Sequence, residues 1–97
     1  MNLVWTDLSW EEYLYWQITG IKKLQRINDL IKDIKRSPFQ GIGKPEPLKF
    51  DLTGKWSRKI DDEHRLVYEL GGKKETEAGK VIDKRRLIIY QCKYHYK

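Results

Sequence analysis

Thiol pairs and membrane-length apolar runs are the first things this sequence lacks. One cysteine, Cys92, stands in 97 residues, which excludes a disulfide framework or a cysteine-rich metal site within the chain and suits a reducing compartment. No apolar run approaches the roughly 20 residues that cross a bilayer, and nothing before Trp5 has the pattern of a secretory leader. The expectation is a cytoplasmic protein with no membrane partner. Of only two histidines, His64 has no further histidine or carboxylate at ligand spacing, so neither a metal nor a cofactor is expected. Internal repeats and linkers are absent too, which leaves a single domain over residues 1–97. The first twenty residues hold no Lys or Arg but carry Asp7, Glu11 and Glu12, so the remainder bears a net charge of +9. That skew suits either a polyanionic partner, nucleic acid before membrane, or a merely solvated basic surface. Four Trp and six Tyr supply mass for a small core or faces on which bases stack.

What is present reads as a strand, two helices and an antiparallel sheet. Leu3-Val4-Trp5 suits a short strand. Ser9 is positioned to cap a helix, with Glu12 reaching back to it. Trp10, Tyr13, Leu14 and Ile18 recur at helical spacing, and Thr19-Gly20 ends that segment. Ile21, Leu24, Ile27, Leu30, Ile31 and Ile34 mark the apolar stripe of a second helix, which Ser37-Pro38 stops. Short connections imply an antiparallel helical hairpin. From Phe39 to Phe50 the glycines and prolines argue against regular pairing. Residues 55–60, 64–70 and 87–96 read as antiparallel strands, with Leu66, Tyr68 and Leu70 toward the core and Arg65 on the open face. Residues 71–85 read as a long, mobile connection inserted between strands.

Three stretches hold residues able to do chemistry. Pro45 and Pro47 stiffen the backbone around Glu46 and leave its carboxylate between Lys44 and Lys49; the same pattern also occurs in plain linkers. Arg65 is a fixed cation, either for a phosphate or for an ordinary ion pair with Glu63 or Glu69. His95 lies in the closing KYHYK, either as a surface histidine or as a proton donor. Together, a carboxylate to take a proton, a guanidinium to hold phosphate and an imidazole to return a proton make a metal-free ribonuclease set.

The run GKPEPLK at residues 43–49, WSRKI followed by EHRLVY through Tyr68, the ending C-x-YHY at 92–96 and the N-terminal SWEEYLYWQ resemble the YoeB/Txe family of bacterial toxins in the RelE superfamily. The likeness spans nearly the whole chain apart from 71–85. It implies a RelE-like α+β fold, with an N-terminal strand and a two-helix antiparallel hairpin packed on one face of a small, mainly antiparallel twisted sheet. It implies an endoribonuclease that cuts messenger RNA in the ribosomal A site. Glu46 would be general base, Arg65 phosphate stabiliser, His95 general acid and Tyr96 a stacking or orienting group. Lys49 would add charge beside the phosphate, while Lys44, Arg58 and Lys59 would dock ribosomal RNA. The implied partners are a cognate antitoxin of YefM/Phd type, the ribosome with its message and, optionally, a second copy of the toxin. The chain departs from the family pattern in the 71–85 insertion, in Lys59 where Arg is common, and in Lys97 beyond the His-Tyr ending. A same-fold toxin that acts by contact alone, as ParE relatives do, and a basic RNA-binding module are the alternatives.

Overall fold

The computed structural model describes residues 1–95, so the expectations placed on Tyr96 and Lys97 fall outside the described residues. Its elements are β1 (Asn2–Trp5), α1 (Asp7–Thr19), α2 (Ile21–Arg36), β2 (Glu46–Pro47), β3 (Trp56–Lys59), β4 (Arg65–Gly71), β5 (Lys74–Glu77), β6 (Lys80–Asp83) and β7 (Arg86–Gln91). Five strands form a sheet in the order β1-β7-β4-β3-β2, with β1 parallel to β7 and the other neighbours antiparallel. The two helices cover one face of this sheet, the α+β arrangement expected. Among the described residues no helix is long and apolar enough to cross a membrane.

α2 forms where its stripe predicts. Ile27, Leu30, Ile31 and Ile34 are buried against Leu66 and Tyr68 of β4 and Leu87 and Ile89 of β7 in one continuous core. Each such side chain contributes about 1.5–3 kcal/mol on burial. The Ser37 amide closes the last turn on the Asp33 carbonyl, just before Pro38.

α1 turns a different face inward from the one its spacing suggests. Ser9, Glu12, Tyr13 and Trp16 face the protein, whereas Trp10 and Leu14 are exposed and Ile18 is 87% exposed. Apolar residues surround this helix, so periodicity does not decide its orientation; polar groups with fixed partners do. The Ser9 hydroxyl donates to the Ile89 carbonyl at 2.6 Å and the Trp16 indole N–H to the Cys92 carbonyl at 2.8 Å. The helix cap is Thr6, whose hydroxyl accepts from the Ser9 amide. Glu12 is thereby free for another task, accepting the Cys92 amide at 2.8 Å.

Two other expectations change. Glu46 and Pro47, within the stretch read as irregular, pair with β3 as its outer neighbour. Proline is tolerated there because an edge strand leaves its missing N–H unused. The insertion folds on itself: β5 and β6 form a separate two-stranded ribbon around a turn at Ala78 and Gly79, both at positive φ. Lys84 bridges Glu75 and Glu77 along it, and Arg85 pairs with Asp83.

Candidate active site

The sheet register assembles the site. Glu46 pairs with Ser57 and Ser57 with Val67, so one row crosses three strands; beyond it the ladder from β4 to β7 shifts register between Val67 and Tyr68. Directly paired residues share a face, and side chains alternate along a strand. Leu66 and Tyr68 point into the core, so this row lies on the face away from the helices. Lys59 and Arg65 form the next cross-strand pair on the same face. Ser57 and Val67 are only 3% and 2% exposed although no helix covers them. Neighbouring side chains on the open face therefore cover them. By strand spacings of about 4.8 Å and a rise of about 3.4 Å per residue, the backbones of Glu46 and Arg65 lie roughly 12 Å apart. Their two side chains can reach a common phosphodiester across that gap. Beside Glu46 opens a cavity of about 440 Å³ that Lys49 and Phe50 also line. Phe50 is 90% exposed, with a φ of 58°.

Residues 92–95 do not continue as a strand. β7 stops at Gln91, and residues 93–94 bend back over the start of β4. Gln91 makes the bend, its amide N–H₂ donating to the carbonyls of Lys93 and Tyr94 at 2.9 and 3.1 Å. The Arg65 amide donates to the Tyr94 carbonyl at 3.0 Å, and the Tyr94 amide donates to Nδ1 of His64 at 2.7 Å. The alternation that set His95 beside Lys93 on a strand is therefore replaced by a turn, with Tyr94 at a φ of 62°. His95, exposed, follows directly from a residue hydrogen-bonded to the backbone of Arg65. Upstream, Glu12 and Trp16 hold both backbone groups of Cys92. Burial pushes the Glu12 carboxyl up, against the Cys92 amide and Lys93, which draw it down.

Arg65 pairs with neither Glu63 nor Glu69. Its Nη1 donates to the carbonyls of Asp61 and His64 at 2.7 and 3.1 Å, which steadies the guanidinium without spending its charge on a carboxylate. Lys59 reaches the exposed Asp62 at 3.2 Å, a pair of little strength that a stronger anion can displace. Lys44 and Lys49 are exposed on either side of Glu46.

Arg58 is the site expectation that the structure corrects. It alternates with Ser57 and Lys59, faces the helices and is 0% exposed. All five of its N–H groups are taken: by Asp33, by the carbonyls of Ser37, Gln40 and Ile42, and by the Tyr68 hydroxyl. It cannot dock RNA; it clamps the 37–42 loop that leads to Glu46. Gly41 sits in that clamp at a φ of 120°, where a Cβ would come 2.0 Å from the Asp33 carboxylate. Asp33, His64, Gln91 and Glu12 all serve the site's framework, and sequence reasoning missed each of them. Asp33 alone left a trace, as a carboxylate inside the apolar stripe of α2. Among the described residues no group of three or more His, Cys, Asp and Glu could hold a metal ion.

The family described as YoeB-like toxin of bacterial type II toxin-antitoxin system matches residues 5–96. The chain belongs to that family. It is 48% identical to toxin YoeB of Escherichia coli K12 over 96 residues, covering 99% of this chain and 100% of that protein. To toxin YoeB of Streptomyces coelicolor it is 49% identical over the same share of each. Among solved structures, a YoeB/ParE toxin from Agrobacterium tumefaciens is 48% identical with a TM-score of 0.87, covering 99% of this chain and all of that one. A YoeB dimer from Staphylococcus aureus superposes at 0.80 with 40% identity, and a YoeB-YefM complex from the same organism at 0.77 with 39%; each covers 99% of this chain and 98% of its own. In this YoeB-like toxin Glu46, Lys59 and Arg65 share the open sheet face, while the bend at 93–94 packs beside α1 and is hydrogen-bonded to the Arg65 backbone.

Proposed function

We propose that this toxin is an endoribonuclease that enters the ribosomal A site and cuts the messenger there. The observation that carries the reading is the common face: Glu46, Lys59 and Arg65 project from neighbouring strands, and the bend bearing His95 is hydrogen-bonded to the Arg65 backbone. Glu46 takes the proton of a ribose 2′-hydroxyl, and that oxygen attacks the adjacent phosphorus. Arg65, paired across the strands with Lys59, balances charge that builds on the phosphoryl oxygens, and Lys49 adds positive charge on the Glu46 side. His95 protonates the departing 5′-oxygen, leaving a cyclic 2′,3′-phosphate, and Tyr96 stacks on or orients a base. The nucleophile comes from the RNA itself, so the protein supplies alignment, charge and proton transfer, and DNA is not a substrate. Lys44 contacts ribosomal RNA. A YefM-type antitoxin, acidic and disordered when free, silences the basic toxin in the cytoplasm, and the toxin pairs with a second copy as its S. aureus relative does.

Purified ribosomes programmed with a defined message test the reading. Breaks should map to the A site, and Glu46→Ala, Arg65→Ala and His95→Ala should each slow cleavage by about 10²-fold or more with an unchanged circular dichroism spectrum. Intact message at doses that arrest growth would overturn it and favour a contact-only toxin.

A further inference from the structure

The bend that carries His95 is held by the second histidine of the chain. His64, at the start of β4, is 6% exposed. Its ring meets Trp16 of α1 edge-on at 4.8 Å and lies 5.6 Å from the Tyr94 ring. Nδ1 accepts the Tyr94 amide at 2.7 Å, while the next residue, Arg65, donates its amide to the Tyr94 carbonyl at 3.0 Å. Two consecutive residues thus grip both backbone groups of Tyr94. A ring nitrogen accepts a hydrogen bond only while it carries no proton. The contact therefore requires neutral imidazole with its proton on Nε2, which lies 3.8 Å from the Glu63 carboxylate. In the imidazolium form Nδ1–H would meet the Tyr94 N–H, donor against donor.

We infer that His64 is the positioning residue for the His95 bend, and that charging His64 on acidification releases the bend and switches the site off. The charged groups around the ring are few. Glu63 and Asp61 come from its own turn, the latter accepting the His64 amide and paired with Lys23 of α2 at 2.6 Å. Arg65 follows it in β4. From α1 come uncharged Trp16 and, beyond it, Glu12 on the Cys92 amide. From the tail come Tyr94 and Lys93, whose ammonium lies over the Tyr94 ring at 4.8 Å. Glu63 and Asp61 can receive the new charge, but neither restores an acceptor for Tyr94.

The inference rests on the reading of His95 as proton donor. A donor acting alone would make cleavage rise as the pH falls and His95 gains its proton, so a fall in the same window belongs to another group. Cleavage on programmed ribosomes should decline as the pH is lowered and the Nδ1 acceptor is lost. His64→Asn, whose amide oxygen can replace Nδ1 as an acceptor that never titrates, should work within about threefold of the parent at pH 7.5. It should then hold its rate to pH 5.5. His64→Leu should lose on the order of tenfold to a hundredfold at every pH, because the bend is misplaced. In parallel, nuclear magnetic resonance should show the Tyr94 amide of the parent moving through one titration with the His64 ring, and staying still in His64→Asn. An acid decline common to parent and His64→Asn, or a parental Tyr94 amide indifferent to pH, overturns the inference. If no variant cuts message at any pH, the nuclease reading falls, and the Tyr94 titration still decides whether His64 holds the bend.

Discussion

Replacing Arg58 by Met tests whether the buried guanidinium, rather than the strand around it, holds the loop before Glu46. The substitution keeps the length of the stem and takes one donor from each of five acceptors: Asp33, Ser37, Gln40, Ile42 and the Tyr68 hydroxyl. Charging each at about 1–3 kcal/mol would exceed what so small a domain can lose. Water can reach the loop carbonyls, which are partly buried, and Asp33 keeps the Ile42 amide and Arg36. The better guide is the cost of orphaning one member of a buried ion pair, about 3–5 kcal/mol. Against a total of about 5–15 kcal/mol for a domain of this length, that is about a fifth of the stability or more. At about 4–8 °C per kcal/mol, the midpoint should drop by roughly 12–40 °C. Thermal and urea unfolding read both quantities. Adding Asp33→Leu should raise the midpoint above that of the single variant, since it removes the stranded carboxylate. A single variant within about 1 kcal/mol of the parent, or a double variant less stable than the single, would refute the argument.

Two further outcomes follow from the same framework. The hydrogen bond from Arg58, then that from the Ile42 amide, lowers the Asp33 carboxyl from 3.8 to about 2. Because the folded value is depressed, the contribution is complete above about pH 4 and is lost as the pH falls toward 2. The urea midpoint should therefore decline across that window, and Asp33→Asn should flatten the decline; an equal slope in both proteins would contradict the assignment. Cys92 is 0% exposed, and burial, followed by the charge of Glu12, pushes its thiol well above the ordinary range. A disulfide reagent at pH 8 should leave folded protein unlabelled and react fully once urea unfolds it. Stoichiometric labelling of native protein would show that the tail is not seated under α1 as described.

Local chemistry explains which features the sequence made legible. α2 carries one apolar stripe with cations elsewhere, so its period and its proline stop suffice. Leu66, Tyr68 and Leu70 alternate with Arg65, Val67 and Glu69, and the two charges on the second set disclose which face of β4 is open and which meets the core. α1 is apolar on most sides, and its orientation rests on long-range bonds from Ser9 and Trp16 to residues some eighty and seventy-six positions away. No local pattern encodes those partners. Arg58 and Lys59 look alike in a list of cations, and only strand alternation against the helices makes one a buried clamp and the other a surface charge. The bend at 93–94 hides for the same reason: alternation in the closing segment is that of a strand, whereas Gln91, His64 and the Arg65 amide, distant in sequence, turn it aside.

Among the described residues β7 is the last strand in chain order, yet it lies between β1 and β4 and carries the segment that Glu12 and Trp16 hold. A chain arrested before Arg86 has no neighbour for β1, an open edge on β4 and no bend behind Arg65. An unfinished copy therefore lacks both the closed sheet and the bend that His95 follows, and the site is complete only after β7 has paired on both sides.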